Sequence, residues 1–197
     1  MPTSSREALL AMLGSARAQG YAIIRHEITQ GDNGVIAGVL DLVSDSAERT
    51  KRLGEHLGRL LRCGDVVCLE GSLGTGKTCL TQGVARGLGV TGPITSPTFI
   101  IANEYVLPHR TEKLHHIDLY RVETSAEACA TGLEELFYRD GICVIEWAER
   151  VLDILPAHKL WIKLFYVDCT TRQFSFEPHG RRYKRLLQRF GEDIARC

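Results

Sequence analysis

Gly71-Ser-Leu-Gly-Thr-Gly-Lys-Thr78 fits the pattern G-x-x-x-x-G-K-[ST] of a phosphate-binding loop. The apolar, β-branched run 65–70 precedes it and predicts a buried parallel strand. After the loop, apolar residues recur at helical spacing until Gly89, which predicts a helix that ends there. A strand, a glycine-rich loop and a helix in this order are the context that the motif requires, so we predict a nucleotide site here.

The chemistry of the loop follows from its backbone and from two side chains. Glycine permits the conformations that turn successive N–H groups toward phosphate oxygens, and the start of the helix adds a positive dipole end. We expect Lys77 to reach the β- and γ-phosphates and the Thr78 hydroxyl to ligate Mg²⁺. The predicted nucleotide-binding residues of the loop are Gly71, Leu73, Gly74, Thr75, Gly76, Lys77 and Thr78.

Length and composition indicate a globular protein with one core. The chain has 197 residues, 44% hydrophobic and 24% charged, with a formal net charge of zero. A neutral chain has no global field that attracts nucleic acid or a membrane surface. No apolar run approaches the ~20 residues of a membrane span, so a cytoplasmic location is expected. Seven cysteines without a C-x-x-C pair predict reduced core residues, neither a disulfide framework nor a zinc site.

The pattern of elements predicts an α/β protein with a mostly parallel sheet flanked by helices, as in P-loop NTPases, and a C-terminal antiparallel hairpin over about 160–176. We predict three parts: an N-terminal extension of unknown role at 1–35, the P-loop domain at 36–180 and a basic amphipathic helix at 181–197. Asp45 and Glu48 predict a capping box ahead of a helix, and 99–102 predict a strand. The helix at 181–197 has a basic face that either binds RNA or an acidic partner or is simply solvated.

Three further segments carry groups suited to a phosphate site. Thr98 follows Pro97 and either senses a γ-phosphate or caps a turn. Asp118 and Glu146 each end a strand-like run, and Glu146 after four apolar residues fits an acid facing the Mg²⁺ shell. The histidines at 115 and 116 point to opposite faces of a strand and are expected to be structural.

Together these segments resemble the TsaE (YjeE) family. The resemblance rests on five motifs in the family's order and spacing: 71–78, Ser96-Pro-Thr-Phe99, His116-Ile-Asp-Leu-Tyr-Arg121, Gly132-Leu-Glu-Glu-Leu136 and Ile145-Glu-Trp147. It covers roughly 40–150. Ala148 stands where family members commonly have proline.

The resemblance implies a small ATPase that works in tRNA threonylcarbamoyladenosine modification next to the anticodon, together with the TsaD and TsaB proteins. Contact with tRNA would come through that complex, and no membrane association is implied. Carried over to this chain, Lys77 and the loop amides hold the phosphates of ATP, and Thr78 and Glu146 hold Mg²⁺. Asp118 is a second acid that orients water, although the two acids could exchange roles.

Two other functions remain open from the sequence. A small-molecule kinase shares the loop and sheet but needs an arginine-bearing lid, which 90–140 do not show. A nucleotide-gated binding module would bind ATP with little turnover. A GTPase is disfavoured because no [NT]-K-x-D run occurs. Between the loop and Glu146 no arginine has a spacing that obviously aims it at a γ-phosphate, although Arg121 is a candidate. We therefore expect an ATPase that is slow alone and stimulated by partners.

Overall fold

The structure is a computed structural model that describes residues 22–30, 36–98, 100–108, 110–137 and 141–196, with the backbone alone for 22–30 and 36–37. Residues 1–21 and 31–35 of the predicted extension, and Cys197, lie outside this range. The described strands are β1 Ala22–Gln30, β2 Ile36–Ser44, β3 Val66–Glu70, β4 Ala102–Val106, β5 Lys113–Asp118, β6 Gly141–Glu146, β7 Lys159–Tyr166 and β8 Arg172–His179. The described helices are α1 Ala47–Leu60, α2 Lys77–Gly87, α3 Ser125–Ala130, α4 Leu133–Phe137 and α5 Arg181–Ala195, with a 3-10 helix at Ala148–Val151.

These strands form one sheet of eight in the order β1-β2-β8-β7-β3-β6-β5-β4. Its centre is parallel, because β3 pairs with β6 and β7, and β6 pairs with β5, all in the same direction. β7 and β8 form the predicted antiparallel hairpin, and β4 is an antiparallel edge strand. The predicted α/β architecture with a mostly parallel core is therefore confirmed.

Both faces of the parallel centre are covered, which explains why its strands are apolar at nearly every position. On β3, Val67 and Leu69 lie in a core with α1, α2 and α5. The alternate residues Val66 and Cys68 lie in a second core with α3, α4 and the 3-10 helix. The two cores hold the sheet between two helical layers, and among the described helices none has the length and apolarity to cross a membrane.

The terminal parts of the chain join the same body. β1 lies within the predicted extension and pairs antiparallel with β2, so part of the extension continues the sheet. In α5, five apolar side chains are buried in the core: Tyr183, Leu186, Leu187, Phe190 and Ile194. The Tyr183 hydroxyl oxygen accepts a 2.7 Å hydrogen bond from the Val66 N–H. The division into three domains stays a prediction.

Two local predictions about the ends of elements were wrong. The cap of α1 is Ser46, whose hydroxyl accepts from the Arg49 N–H at 3.2 Å, while Asp45 pairs with the Arg49 side chain. The strand expected over 99–102 begins only at Ala102, because the N–H groups of Ile100 and Ile101 both bond to the Pro97 carbonyl in a tight turn.

The cysteine prediction holds in part. Cys68 and Cys143 are buried strand residues, and burial raises the pKa of the Cys143 thiol to about 12. Cys63, Cys129 and Cys169 are exposed, so the prediction that the cysteines are core residues was wrong for these three. All six described cysteines are free thiols, as expected for reduced residues.

Helices α1 and α2 approach each other through glycines. A Cβ atom at Gly83 would lie 2.0 Å from the Lys51 carbonyl oxygen, and one at Gly54 would lie 2.3 Å from the Leu80 carbonyl oxygen. Gly58 and Gly87 make equivalent contacts one turn along each helix. The backbones touch where side chains would normally separate them, and this fixes α2 against α1.

We predict that Gly83→Ala destabilises the protein by about 1 to 3 kcal/mol, since the added methyl group meets backbone that cannot move without shifting a helix. In an exposed helix the same change would stabilise by about 0.5 to 1 kcal/mol, so the sign is diagnostic. Urea unfolding measures the difference. Arg86→Ala, on the exposed side of α2, is the control and should change stability by less than about 0.5 kcal/mol. A more stable Gly83→Ala protein would contradict this account of the helix interface.

Candidate functional site

The phosphate-binding pattern adopts the predicted arrangement of strand, loop and helix. β3 ends at Glu70, and α2 begins at Lys77 with Gly76 as its N-cap. Gly74 and Gly76 have φ angles of 78° and 98°, a region in which a side chain would be strained. The Thr75 hydroxyl donates to the Ser72 carbonyl at 2.8 Å and closes the loop on itself. The loop therefore has a defined shape that its own backbone and side chains hold.

Lys77 is folded back over its own loop. Its ammonium group donates to the carbonyl oxygens of Gly71 at 2.5 Å and Ser72 at 3.0 Å, and it lies 3.6 Å from the centroid of the Trp147 ring. Burial lowers the pKa of Lys77, and the nearby Glu146 carboxylate opposes that shift. The side chain is only 5% exposed, so this cation is held inside the site.

Glu146 lies at the centre of a hydrogen-bonded group. The Thr78 hydroxyl donates to its Oε2 at 2.9 Å, and the Thr81 hydroxyl approaches its Oε1 at 3.4 Å. His116 Nε2 lies 2.7 Å from the same Oε1. This is hydrogen-bonding distance between the imidazole and the carboxylate. The contact fixes the direction in which Glu146 presents its other oxygen, and sequence reasoning missed it by treating His116 as structural.

Asp118 holds a second group together. Its Oδ2 accepts from the hydroxyls of Ser96 and Thr98, the latter at 2.8 Å, and its Oδ1 accepts from the Tyr120 N–H at 2.9 Å. Thr98, predicted as a γ-phosphate sensor, is thus bound to an acid of the site. The predicted Ser-Pro-Thr segment and Asp118 are therefore joined by hydrogen bonds. The sequence of neither segment alone indicates this contact.

Two non-glycine residues of the described chain have positive φ angles, and both lie beside these groups. Trp147 follows Glu146 with φ 62°, and Ile101 has φ 68° and accepts a 2.9 Å hydrogen bond from the Asp118 N–H. Such backbone costs about 1 to 3 kcal/mol per residue and persists where the surroundings enforce it. Its position at the edge of this site is typical of functional regions.

These groups line a cavity of about 510 Å³ at the carboxyl ends of the parallel strands. Its lining contains most of the predicted site residues: Leu73, Gly74, Gly76, Lys77, Thr78, Thr98, Asp118 and Glu146. It also contains Ser96 and Tyr120, which belong to the quoted motifs but were not among the predicted site residues, and Cys79 and Trp147. Gly71 and Thr75 belong to the loop but do not line the cavity. A larger cavity of about 770 Å³ lies at the other ends of the strands and shares no residue with it.

One cationic residue of the described chain lines this cavity, and the Arg150 guanidinium lies close by, 5.3 Å from the centroid of the Trp147 ring. Lys77 is the cationic residue in its lining, and Arg121, the arginine considered from sequence, is exposed and not part of that lining. Arg172 of β8 reaches the phosphate loop from outside and donates to the Gly74 carbonyl through Nε and Nη2. It lies beyond Glu146 in the chain, so the search of the preceding segment missed it.

Comparison with known proteins agrees with this arrangement. The model of the family described as "Threonylcarbamoyl adenosine biosynthesis protein TsaE" matches residues 44–174. The chain belongs to the TsaE family. A tRNA threonylcarbamoyladenosine biosynthesis protein TsaE from Bacillus subtilis is 40% identical over 144 residues, which are 72% of this chain and 87% of that protein. Its namesake from Treponema pallidum is 45% identical over 122 residues, 62% of this chain and 88% of that protein.

A solved structure extends the likeness to the fold. The crystal structure of Bacillus subtilis YdiB superposes with a TM-score of 0.68 at 32% identity, over 80% of this chain and 97% of YdiB. The part matched by the TsaE family model contains every candidate site residue, from Gly71 to Glu146. It ends before α5, and it begins after most of β2.

Proposed function

We propose that this TsaE-family protein binds ATP with Mg²⁺ at the phosphate loop and hydrolyses it in support of tRNA threonylcarbamoyladenosine modification. The observation that carries the proposal is the convergence of three groups beside the loop: the Lys77 ammonium, the Thr78 hydroxyl and the Glu146 carboxylate. Phosphoryl transfer depends chiefly on positioning and on neutralising charge, and these groups are suited to both.

Nucleotide binding gives Lys77 new partners. In this structure its ammonium group satisfies two loop carbonyls and the Trp147 ring. Phosphate oxygens are stronger acceptors for an ammonium group, so Lys77 turns to the β- and γ-phosphates when they enter. The loop amides supply the remaining hydrogen bonds, and the start of α2 directs its dipole at the same charge.

The oxygen atoms of Thr78 and Glu146 fit a small hard cation. The two side chains are 2.9 Å apart and both are oxygen donors, the type that Mg²⁺ takes. In the described residues no group of three His, Cys, Asp or Glu side chains could hold a metal. Mg²⁺ commonly completes its shell with phosphate oxygens and water, so two protein ligands are sufficient. When bound it would neutralise charge on the phosphates.

Asp118 is the acid placed to orient water. It is 4% exposed, it lines the cavity, and its oxygens are held by Ser96, Thr98 and the Tyr120 N–H. A carboxylate with fixed direction can accept a proton from a water molecule and align it for attack. Thr98 is one hydrogen bond from that carboxylate, so a contact between Thr98 and a γ-phosphate would be transmitted to it.

The assignment to tRNA modification rests on the family and on the names of the relatives, which describe tRNA threonylcarbamoyladenosine biosynthesis. We propose TsaD and TsaB as partners. Large apolar side chains are exposed around the nucleotide cavity, with Leu73 76% exposed on the loop and Tyr120 40% exposed. Exposed apolar groups at the mouth of a site favour closure by another protein.

A nucleotide-gated binding module is the second candidate function. It is favoured by the composition of the cavity lining, in which Lys77 is the only cationic residue of the described chain. Slow hydrolysis of ATP would then return the protein to the state that does not bind its partner. A small-molecule kinase is less well supported, because the described part of the cavity lining has no arginine.

We expect Lys77→Ala and Thr78→Ala each to lose about 1.5 to 3 kcal/mol of nucleotide affinity or transition-state stabilisation, since each removes a charge-assisted contact. Fluorescent-nucleotide titration and ATP turnover measure these effects. Lys184→Ala and Thr131→Ala remove the same groups elsewhere and should change neither quantity. Far-ultraviolet circular dichroism checks folding, and normal turnover in both loop variants would refute the site.

The two acids are separated by their metal dependence. Glu146→Gln should raise the Mg²⁺ concentration needed for half-maximal turnover, because it weakens a ligand. Asp118→Asn should lower kcat with a smaller change in that concentration, because it impairs the orientation of water. A Mg²⁺ titration of both variants decides between the roles. The reverse pattern would exchange them, and equal defects would indicate that both acids hold the metal.

We predict slow turnover by the isolated protein and acceleration by the TsaD–TsaB pair, since a cation supplied in trans can increase such rates by roughly 10³ to 10⁵. Arg185→Glu with Arg189→Glu tests docking through α5. These two arginines are exposed, whereas Arg182 bonds to Asp65 at 2.6 Å and its loss would disturb the fold. Turnover that partners leave unchanged would overturn the prediction. Acceleration that survives the charge reversal would exclude α5 from docking.

A further inference from the structure

The first residue of β8, Arg172, contacts the phosphate loop through its side chain. Arg172 Nη2 and Nε donate to the Gly74 carbonyl oxygen at 3.1 and 3.3 Å. Its remaining terminal nitrogen, Nη1, donates to the carbonyl oxygens of Asp168 at 2.7 Å and Thr171 at 2.9 Å. The guanidinium carbon lies 4.6 Å from the centroid of the Tyr166 ring. Arg172 therefore links the phosphate loop to a segment 98 positions away. Its Nε and Nη2 bond to Gly74, and its Nη1 bonds to the turn before β8.

The turn that precedes Arg172 is held by hydrogen bonds to one side chain, that of Asp168. Asp168 Oδ1 accepts from the N–H groups of Thr170 at 2.9 Å and Thr171 at 2.7 Å. These bonds hold the pKa of Asp168 at about 2, so its carboxylate stays ionised at neutral pH. A turn locked in this way can position the guanidinium against the loop.

Gly74 is a place where such support matters. Its φ angle is 78°, and a Cβ added there would find no atom within 4 Å. Ser72, Leu73 and Gly74 are all exposed, so this part of the loop has little packing of its own. The hydrogen bonds of Arg172 hold the Gly74 carbonyl, and with it the orientation of the peptide group between Gly74 and Thr75.

We propose that Arg172 is a positioning residue for nucleotide binding, which orders the phosphate loop by holding the Gly74 carbonyl. A loop that is ordered beforehand loses less conformational entropy when phosphates bind, and affinity rises accordingly. The role in affinity rests on the proposed nucleotide site. The ordering of the loop is a property of the nucleotide-free protein, and it can be tested separately.

The experiment compares four proteins: the wild type, Arg172→Ala, Arg172→Lys and Arg185→Ala. Arg185→Ala removes an exposed arginine of α5 and is the matched control for charge. Hydrogen–deuterium exchange of the amides at 72–76 is measured without nucleotide, and affinity for a fluorescent ATP analogue is measured at low and high salt. The melting temperature of each protein checks global stability.

We expect faster exchange at 72–76 in Arg172→Ala and about tenfold weaker nucleotide binding, as for the loss of a charged hydrogen-bond donor. Arg172→Lys should be intermediate in both measurements, because lysine keeps the charge but cannot form the two-nitrogen contact to one carbonyl. The control should match the wild type in exchange, affinity and melting temperature.

Unchanged exchange at 72–76 in Arg172→Ala would overturn the proposal. Full recovery of affinity in Arg172→Lys together with loss of the difference at high salt would also overturn it, since a long-range charge effect would then suffice. If exchange is faster but no protein binds the analogue, including the wild type, the loop-ordering role stands and the proposed nucleotide function fails.

Discussion

The register of three parallel strands determines where the chemistry of this protein lies. Glu146 pairs with Leu69 of β3 on one side and with Asp118 of β5 on the other. The last residues of β6 and β5 therefore stand level with the end of β3, where the phosphate loop begins. A shift of one residue in either pairing would turn its acid to the opposite face of the sheet. The site exists because three strands end together.

The glycine contact between α1 and α2 serves the same geometry from the helical layer. α2 carries Lys77 and Thr78 in its first turn, so its axis sets the positions of the cation and the hydroxyl. Gly54 and Gly83 let the two helix backbones touch, which leaves α2 little freedom to slide or rotate. The Thr78 hydroxyl is thereby held 2.9 Å from the Glu146 carboxylate at the end of β6. Packing far from the cavity thus maintains distances within it.

The elements and the loop were predictable because they are encoded in short, local patterns. The loop motif, the apolar runs of β3 and β6, and the alternation in β7 and β8 all extend over fewer than ten residues. The contacts that complete the site are not local. His116 and Glu146 are 30 residues apart, and Arg172 and Gly74 are 98 apart. The order of the strands in the sheet brings these pairs of residues together, and that order cannot be deduced from residue spacing in one sequence.

The local errors have similar causes. Asp45 and Glu48 match a capping box, yet Ser46 is the residue whose hydroxyl reaches the free N–H of α1. β4 begins later than predicted because the Pro97 carbonyl accepts two N–H groups in a turn. The hydrogen bonds from Ser96 and Thr98 to Asp118 stabilise that turn. Neither outcome can be read from propensity, since each depends on a competing hydrogen bond.

The state of Lys77 connects the geometry to the expected slow chemistry. Its ammonium group is buried, and burial lowers its pKa, so the charged form depends on the carbonyls, the Trp147 ring and the nearby acids around it. An anion that binds Lys77 must displace those partners, and Trp147, whose backbone has a positive φ angle, lies against the same ammonium group. Lys77 is the cationic residue of the described cavity lining, and the Arg150 guanidinium lies outside that lining, 5.3 Å from the centroid of the Trp147 ring. A protein that closes over the exposed Leu73 and Tyr120 would exclude water from this site and strengthen every charge interaction in it. The proposed dependence on a partner therefore rests on the single cationic residue that lines the described cavity.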